Sequence, residues 1–152
     1  MNVHGFALLP PGEPAPDKLL PIWLHPTPAS HLARNRIVYG QGWHTDTQWF
    51  LGQVERYVRP GMRVLDFGAG TGILAIAAAR KGAVVTACEI LPEALAMCLG
   101  NAQLNDVAID LTETMPDGPF DLILCNMGDE GRQYEAALRE RLAPGGRLLW
   151  QP

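Results

Sequence analysis

The sequence contains few of the features that mark secreted, membrane-embedded or metal-binding proteins. Its three cysteines form no C-x-x-C pair, so we expect no disulfide framework and no bound metal. Cys88 and Cys125 lie in apolar runs and are interpreted as small core residues. No apolar run approaches the roughly 20 residues of a membrane span, and no basic segment leads into an apolar core at the N-terminus, as in a signal peptide. We therefore expect a soluble, cytoplasmic protein.

A basic excess is also absent, since 12 lysines and arginines against 16 aspartates and glutamates give a net charge of -4. This balance argues against a nucleic-acid partner, which normally requires a basic patch. The chain has 152 residues, of which 47% are hydrophobic and 18% charged. Such a size and composition predict one globular domain with a sizeable core.

Proline is unevenly distributed, with seven of the thirteen prolines between residues 10 and 28. Because proline lacks an N–H and fixes φ, regular helix is excluded there. Short extended pieces are predicted instead, at 3–9, 21–25 and 36–39. The apolar side chains of this region favour an arm packed on the main domain over an order-poor tail. We divide the chain into a proline-rich arm, 1–35, and a main domain, 36–152.

The main domain alternates between the apolar periods of helices and of strands. Helices are predicted at 47–58, 73–81, 92–104 and 132–142. Strands are predicted at 63–67, 83–88, 108–111, 121–125 and 147–151. Strands joined by helices of this length form parallel βαβ units with right-handed crossovers, so we expect an α/β, doubly wound, three-layer sandwich. Ligands of such sheets bind at the carboxyl ends of the strands.

A glycine turn follows the first predicted strand. It reads Asp66-Phe67-Gly68-Ala69-Gly70-Thr71-Gly72 and leads directly into a predicted helix. Glycine has no Cβ and lets the backbone approach a ligand closely, while the start of a helix offers free N–H groups. The segment indicates a nucleotide-type cofactor site, with a plain βα turn as the alternative. A dinucleotide fingerprint would require glycine where Ile73 stands.

The pattern D-x-G-x-G-x-G resembles the first motif of the class I S-adenosylmethionine (SAM) methyltransferases. In that family the glycines lie beside the methionine part of SAM, and the acid helps to hold its amino group. The resemblance therefore implies cofactor contacts from Asp66 through Gly72 and a Rossmann-like sheet of strand order 3-2-1-4-5.

Glu89 stands at the tip of the second predicted strand, 21 positions after Gly68. A carboxylate there can accept charge-assisted hydrogen bonds from both ribose hydroxyls. The spacing also suits NAD, so Glu89 supports a ribose rather than SAM in particular; a surface glutamate is the alternative. Ile90 and Leu91 are expected to supply apolar contact to the adenine.

Asn126 and Met127 follow the fourth predicted strand, at the position that faces the transferred methyl group in the resembled class. Methyltransferases acting on nucleobase or glutamine amines carry Asn/Asp-Pro-Pro-Tyr/Phe there. This chain reads Asn126-Met127-Gly128-Asp129, which argues against those two substrates. Asn126 and Met127 are our candidate catalytic residues, with Asn126 orienting an amine and also contacting the cofactor; a turn-forming asparagine is the alternative. Asp129 and Glu130 are weak candidates for a general base.

A further segment, YGQGWHTDT at 39–47, looks like the F-G-T-G-x-H-x-T-T segment of the PrmA-type ribosomal-protein methyltransferases. The likeness extends over 36–151 and includes VLDFGAGTGILAIAA at 64–78, NAQLN at 101–105 and PFDL at 119–122. It implies that the 39–47 loop closes over SAM. Tyr39, His44 and Thr47 then become cofactor-binding candidates, with a satisfied loop histidine as the alternative for His44.

The sequence departs from this family in several places. The family carries a separate N-terminal recognition domain where this chain has a short arm, and its paired threonines read Asp46-Thr47 here. Its second-strand aspartate is Glu89. Class I enzymes usually continue beyond strand five, so we expect a sheet truncated after that strand. The arm or a second subunit in a homodimer is expected to cover the edge.

These observations predict a SAM-dependent N-methyltransferase of PrmA-like type. The expected acceptor is an amine of a protein, at a lysine or the N-terminus, or of a small molecule. Two alternatives remain open: a non-catalytic SAM-binding or dimeric interaction module, and an NAD-type oxidoreductase, which Ile73 disfavours.

Overall fold

The computed structural model describes residues 2–3, 6–8, 22–24 and 45–150, with side chains from residue 47 onward. Three short strands come first: β1 (Asn2–Val3), β2 (Phe6–Leu8) and β3 (Ile22–Leu24). The main domain contains α1 (Thr45–Tyr57), β4 (Arg63–Phe67), α2 (Ile73–Arg80), β5 (Val84–Cys88), α3 (Pro92–Leu104), β6 (Asp110–Thr112), β7 (Phe120–Cys125), a 3₁₀ segment (Gly128–Tyr134), α4 (Glu135–Arg139) and β8 (Leu142–Trp150).

The main sheet has five strands in the order β6-β5-β4-β7-β8, and every pair is parallel. Counted along the main domain, this is the predicted order 3-2-1-4-5, so the Rossmann-like fold class is confirmed. The central strand β4 carries the glycine turn at its carboxyl end. The strand order reverses beside β4, because β5 and β6 lie on one side of it and β7 and β8 on the other. This topological switch point is where such folds bind ligands.

Alternate residues of the central strands enter two separate cores, because successive side chains of a strand point to opposite faces. Val64 and Leu122 pack with α1, α2 and α3 on one face and form the first core. Leu65, Phe67 and Ile123 pack with Leu138 of α4 on the other face and form the second core. Helices thus cover both faces, and the three-layer arrangement is confirmed.

The last third of the domain differs from the prediction. A single helix was expected over 132–142, but a 3₁₀ segment and the short helix α4 occupy 128–139. Close packing of Gly131 accounts for part of this, since a Cβ there would lie 2.8 Å from Cys125 Sγ. The helix ends early because the Arg141 carbonyl accepts a hydrogen bond from Phe120 N, 2.8 Å away, and Leu142 already pairs with β7.

The proline-rich region contributes a small sheet of order β1-β2-β3. A single extended piece was predicted at 3–9, but two antiparallel strands, β1 and β2, occur there because the chain turns between Val3 and Phe6. Strand β3 lies inside the predicted piece 21–25, while the piece at 36–39 lies outside the described residues. The backbone of β3 lies beside α2 and α3, on the half of the domain away from β8. This part of the arm therefore contacts the main domain at its helices, and cover of the β8 edge stays a prediction.

The three cysteines are buried free thiols. Burial raises the pKa of Cys88 to about 11 and those of Cys98 and Cys125 to about 12, so none forms a reactive thiolate near neutral pH. The interpretation of Cys88 and Cys125 as core residues is confirmed. Within residues 47–150, no cluster of side chains is arranged to hold a metal ion. Among the described helices, none combines the length and apolar character needed to cross a membrane.

Candidate functional site

The glycine turn joins β4 to α2 and lies against the end of β5. Gly68, Gly70 and Gly72 have φ values of 78°, 57° and 86°, in the left-handed region that favours glycine. The Gly68 and Ala69 N–H groups both donate to the Cys88 carbonyl, over 2.8 and 3.1 Å. These bonds hold the turn at the carboxyl edge of the sheet, as its position after β4 predicts.

Two of the glycines are also required by protein packing. A Cβ at Gly68 would lie 2.6 Å from Met127 Cγ, and one at Gly72 would lie 2.5 Å from Cys98 Sγ. Real Cβ atoms do not approach neighbours this closely, so any larger residue would displace Met127 or α3. Gly68 and Gly72 are therefore explained by contacts with Met127, after β7, and with Cys98 of α3, as well as by access for a ligand.

Asp66 lies beneath the turn with 1% of its surface exposed. Its Oδ2 accepts a hydrogen bond from Ala75 N in α2, 3.0 Å away, and its buried Oδ1 has no hydrogen-bond partner. Burial raises its pKa to about 7, the Ala75 N–H opposes that rise, and the charge of Glu89 adds to it. A cation placed at Oδ1 would favour the ionised carboxylate and satisfy an oxygen that is otherwise costly to bury.

Glu89 reaches from the end of β5 to the same turn. Its Oε2 accepts from Gly70 N over 3.1 Å, and its Oε1 accepts from Leu91 N over 3.2 Å. Each carboxylate oxygen has a second lone pair, so both retain an acceptor site for hydroxyl donors. Ile90, beside it, is 69% exposed and offers apolar surface at this edge.

Asn126 follows β7 and connects the site to α1. Its Nδ2 donates to Thr47 Oγ1 over 3.2 Å, although the two residues are 79 positions apart in the sequence. The structure thus brings together two residues predicted from separate motifs. Because this bond uses the amide nitrogen, the acceptor oxygen of Asn126 is the atom left for another donor.

The remaining predicted residues fall into different positions. Phe67 directs its ring into the second core, 5.0 Å from the Tyr134 ring centroid, so its side chain packs away from the turn. Asp129 and Glu130 are exposed at the start of the 3₁₀ segment. Tyr39 and His44 lie outside the described residues, and their cofactor contacts stay predictions.

Helix α3 also contributes to the site, although no motif in the sequence assigned it a role there. Asn101 is fully buried on α3, and its Nδ2 donates to the Thr71 carbonyl inside the turn over 2.9 Å. A signal was available, because Asn101 is a polar residue with apolar neighbours, Cys98 and Ala102, inside the predicted helix 92–104. Buried amides normally have a specific hydrogen-bond partner, and the partner of Asn101 is the turn.

Comparisons with known proteins agree with this geometry. The family model described as ribosomal protein L11 methyltransferase (PrmA) matches residues 36–148. The ribosomal protein L11 methyltransferase of Thermus thermophilus is 39% identical over an alignment of 122 residues, and the match covers 74% of this chain and 47% of that protein. The protein of the same name from Ralstonia pickettii is 38% identical over 117 residues, covering 74% of this chain and 39% of that one. The chain thus spans less than half the length of these two curated relatives.

Solved structures show the same fold. A ribosomal protein L11 methylase from Lactobacillus delbrueckii subsp. bulgaricus superposes with a TM-score of 0.70 and 33% identity, covering 84% of this chain and 64% of that chain. A SAM-dependent methyltransferase from Thiobacillus denitrificans, in complex with S-adenosyl-L-homocysteine, gives a TM-score of 0.60 at 22% identity, over 79% of this chain and 53% of that chain. At that identity, the second structure supports the fold alone.

Proposed function

Since the chain belongs to the ribosomal protein L11 methyltransferase (PrmA) family, we propose that it binds SAM at the glycine turn and transfers the methyl group to an amine of a protein. The observation that carries the proposal is the buried Oδ1 of Asp66, which has no partner and lies beneath the turn. SAM carries an ammonium group, and an ammonium forms strong, charge-assisted hydrogen bonds with a carboxylate oxygen of this kind.

The residues present fit the rest of the cofactor as well. Glu89 has acceptor sites for a ribose diol at the end of β5, and Ile90 beside it has apolar surface for an adenine ring. The Gly70 backbone lies within hydrogen-bond distance of Glu89, so the turn and the acid form one continuous surface. Tyr39 and His44, from the segment before α1, complete the proposed set together with Thr47 in the first turn of that helix.

The cofactor supplies an activated methyl group on a sulfonium, so the protein need only align an uncharged nucleophile and exclude water. Asn126 accepts an N–H of the incoming amine at its side-chain oxygen, while its Nδ2 remains bonded to Thr47 Oγ1. The amine must arrive without its extra proton, and a partly desolvated pocket favours that state. Met127 packs over Gly68 and would give such a pocket an apolar wall.

The acceptor is proposed as a protein amine, because the names of the relatives refer to ribosomal protein L11. We place the activity in the cytoplasm for the same reason, and assign it to residues 36–152 with 1–35 as an accessory arm.

A homodimer is also proposed, since β8 has a strand partner on one side alone within the described residues. Light scattering tests it, and a monomeric mass would contradict it.

Calorimetric titration tests cofactor binding. We expect the chain to bind SAM and S-adenosylhomocysteine and to bind NAD far more weakly. Asp66→Asn and Glu89→Gln should each weaken binding of S-adenosylhomocysteine about tenfold, which corresponds to about 1.4 kcal/mol. Asp121→Asn is the matched control, because Asp121 accepts a backbone hydrogen bond from Arg63 at the opposite end of the strands. Absence of SAM binding at millimolar concentration would refute the proposal.

Transfer of radiolabelled methyl from SAM then separates an enzyme from a binding module. Ribosomal protein L11, a mixed cell lysate and free lysine serve as three acceptors. Label in a protein band supports the proposed acceptor class, and label in free lysine alone contradicts it. Tight cofactor binding without label in any acceptor would favour the non-catalytic alternative.

A further inference from the structure

The third helix of the main domain, α3, contacts the glycine turn directly. We propose that Asn101 is a positioning residue, which fixes the backbone of the turn in the orientation that the cofactor requires. The inference rests on the proposed function for its ligand, but the contact itself is between two parts of the chain. Asn101 is wholly buried, and its Nδ2 donates to the Thr71 carbonyl over 2.9 Å.

The Thr71 carbonyl belongs to the same peptide group as the Gly72 N–H. In a trans peptide these two groups point in opposite directions, so holding one determines the other. The Gly72 N–H donates to the Ala69 carbonyl over 2.9 Å, which closes the turn before α2 begins. A glycine-rich segment has many accessible backbone states, and the Asn101 bond selects the one in which this peptide faces α3.

A second contact one turn earlier on α3 acts on the same peptide. Cys98 packs so closely that a Cβ at Gly72 would lie 2.5 Å from its Sγ. On the other side of the turn, Glu89 accepts from Gly70 N. The turn is therefore held between β5 and α3, and Asn101 is its polar contact from the α3 side.

The choice of asparagine follows from burial. Thr71 is fully buried, so an apolar residue at position 101 would withdraw a donor from a carbonyl that water does not reach. Removing one partner of a buried hydrogen bond costs more than the modest net gain of forming that bond. The peptide would then rotate towards another donor and change the path of the turn.

The neighbouring Asn105 provides a matched control. It is also a buried asparagine and directly follows the last residue of α3, but its Nδ2 donates to the Asn101 carbonyl, over 2.7 Å, and not to the turn. Asn105→Ala should weaken the end of α3 without removing the bond to the turn. Asn101→Ala should remove that bond, so the two variants separate loss of stability from loss of positioning.

Hydrogen exchange of the chain without ligand gives the first readout, measured on peptides that span residues 68–75. We expect Asn101→Ala to speed exchange there about tenfold more than Asn105→Ala, at a comparable loss of thermal stability. Asn101→Ser, whose hydroxyl is too short to reach Thr71, replaces Asn101→Ala if the latter does not fold. Equal exchange in the two variants would overturn the inference.

Calorimetric titration with S-adenosylhomocysteine gives the second readout, well below the melting temperature of every variant. Asn101→Ala should bind about tenfold more weakly than the wild-type chain, while Asn105→Ala stays within twofold. Unchanged affinity in Asn101→Ala would also overturn the inference. If the wild-type chain bound no S-adenosylhomocysteine, the proposed function would fail, and the exchange measurement alone would decide whether Asn101 positions the turn.

Discussion

Replacing Asp66 by asparagine should stabilise the protein at alkaline pH while weakening its binding of the cofactor. Burial raises the pKa of Asp66 to about 7 from an ordinary value of 3.8. Between these two values the native state keeps a proton that the unfolded chain has lost. The free energy of unfolding therefore falls as pH rises through this window, and it becomes constant above the native pKa.

The size of the effect follows from the width of that window. Each pH unit between the two pKa values removes about 1.4 kcal/mol of stability, so the full window of about three units removes roughly 4 kcal/mol. Asparagine carries no charge to desolvate and keeps an oxygen for the Ala75 N–H. Asp66→Asn should therefore approach this gain at pH 8 and show little difference from the wild-type chain at pH 4.

Binding should respond to pH in the opposite sense. With a native pKa of about 7, Asp66 is about one-tenth ionised at pH 6 and about nine-tenths ionised at pH 8. If the carboxylate form holds the ammonium group, affinity for S-adenosylhomocysteine should rise about tenfold over that interval. Asp66→Asn should bind weakly at both pH values and lose the pH dependence.

Thermal or chemical unfolding at pH 4, 6 and 8, together with calorimetry at pH 6 and 8, measures both effects. Asp121→Asn serves again as the control and should retain the pH-dependent binding of the wild-type chain. A lower stability of Asp66→Asn at pH 8 would show that the Asp66 charge is stabilised in the native state. That result would refute the reasoning from burial.

Two further substitutions test the packing and the chemistry of the site. Gly72→Ala should lower the free energy of unfolding by about 1–3 kcal/mol, because it forces both a left-handed φ on alanine and an overlap with Cys98. Denaturant titration measures this loss, and adding Cys98→Ala to the same chain should recover part of it. If the double variant recovered nothing, the overlap with Cys98 would be excluded as a cause. Asn126→Ala should slow methyl transfer at least tenfold and change affinity for S-adenosylhomocysteine less than threefold, since it removes the oxygen proposed to orient the amine. Single-turnover kinetics measures the rate of transfer, and calorimetry measures the affinity. An equal loss in rate and affinity would reassign Asn126 to cofactor binding alone.

The order of the sheet and the position of the turn could be predicted because the main domain repeats a simple local pattern. The predicted range 63–67 coincides with β4, and the predicted range 92–104 coincides with α3. In both elements, a periodic run of apolar residues is bounded by residues that commonly begin or end such an element, such as Pro92 in the first turn of the helix. Local signals and tertiary packing agree there.

The region after β7 could not be predicted in this way, because its structure depends on distant partners. Trp150 Nε1 donates to the Gly128 carbonyl over 2.9 Å, and Gly131 packs against Cys125. Neither contact produces a periodic pattern in the sequence between residues 128 and 142. The helical spacing of apolar residues there predicted one continuous helix over 132–142. The partner of Asn101 could not be predicted for the same reason, since it lies 30 positions away.

The glycine turn also explains physically why the dinucleotide alternative is weak. A dinucleotide fingerprint uses its third glycine for close packing of the helix against the strand. Here the corresponding position is Ile73, which is 1% exposed and packs in the first core as part of α2. The close approach occurs one residue earlier, where Gly72 meets Cys98 of α3 and not a strand. The spacing of the glycines therefore reflects which element packs against the turn. Here that element is α3, whose Cys98 packs against Gly72 and whose Asn101 donates to the Thr71 carbonyl.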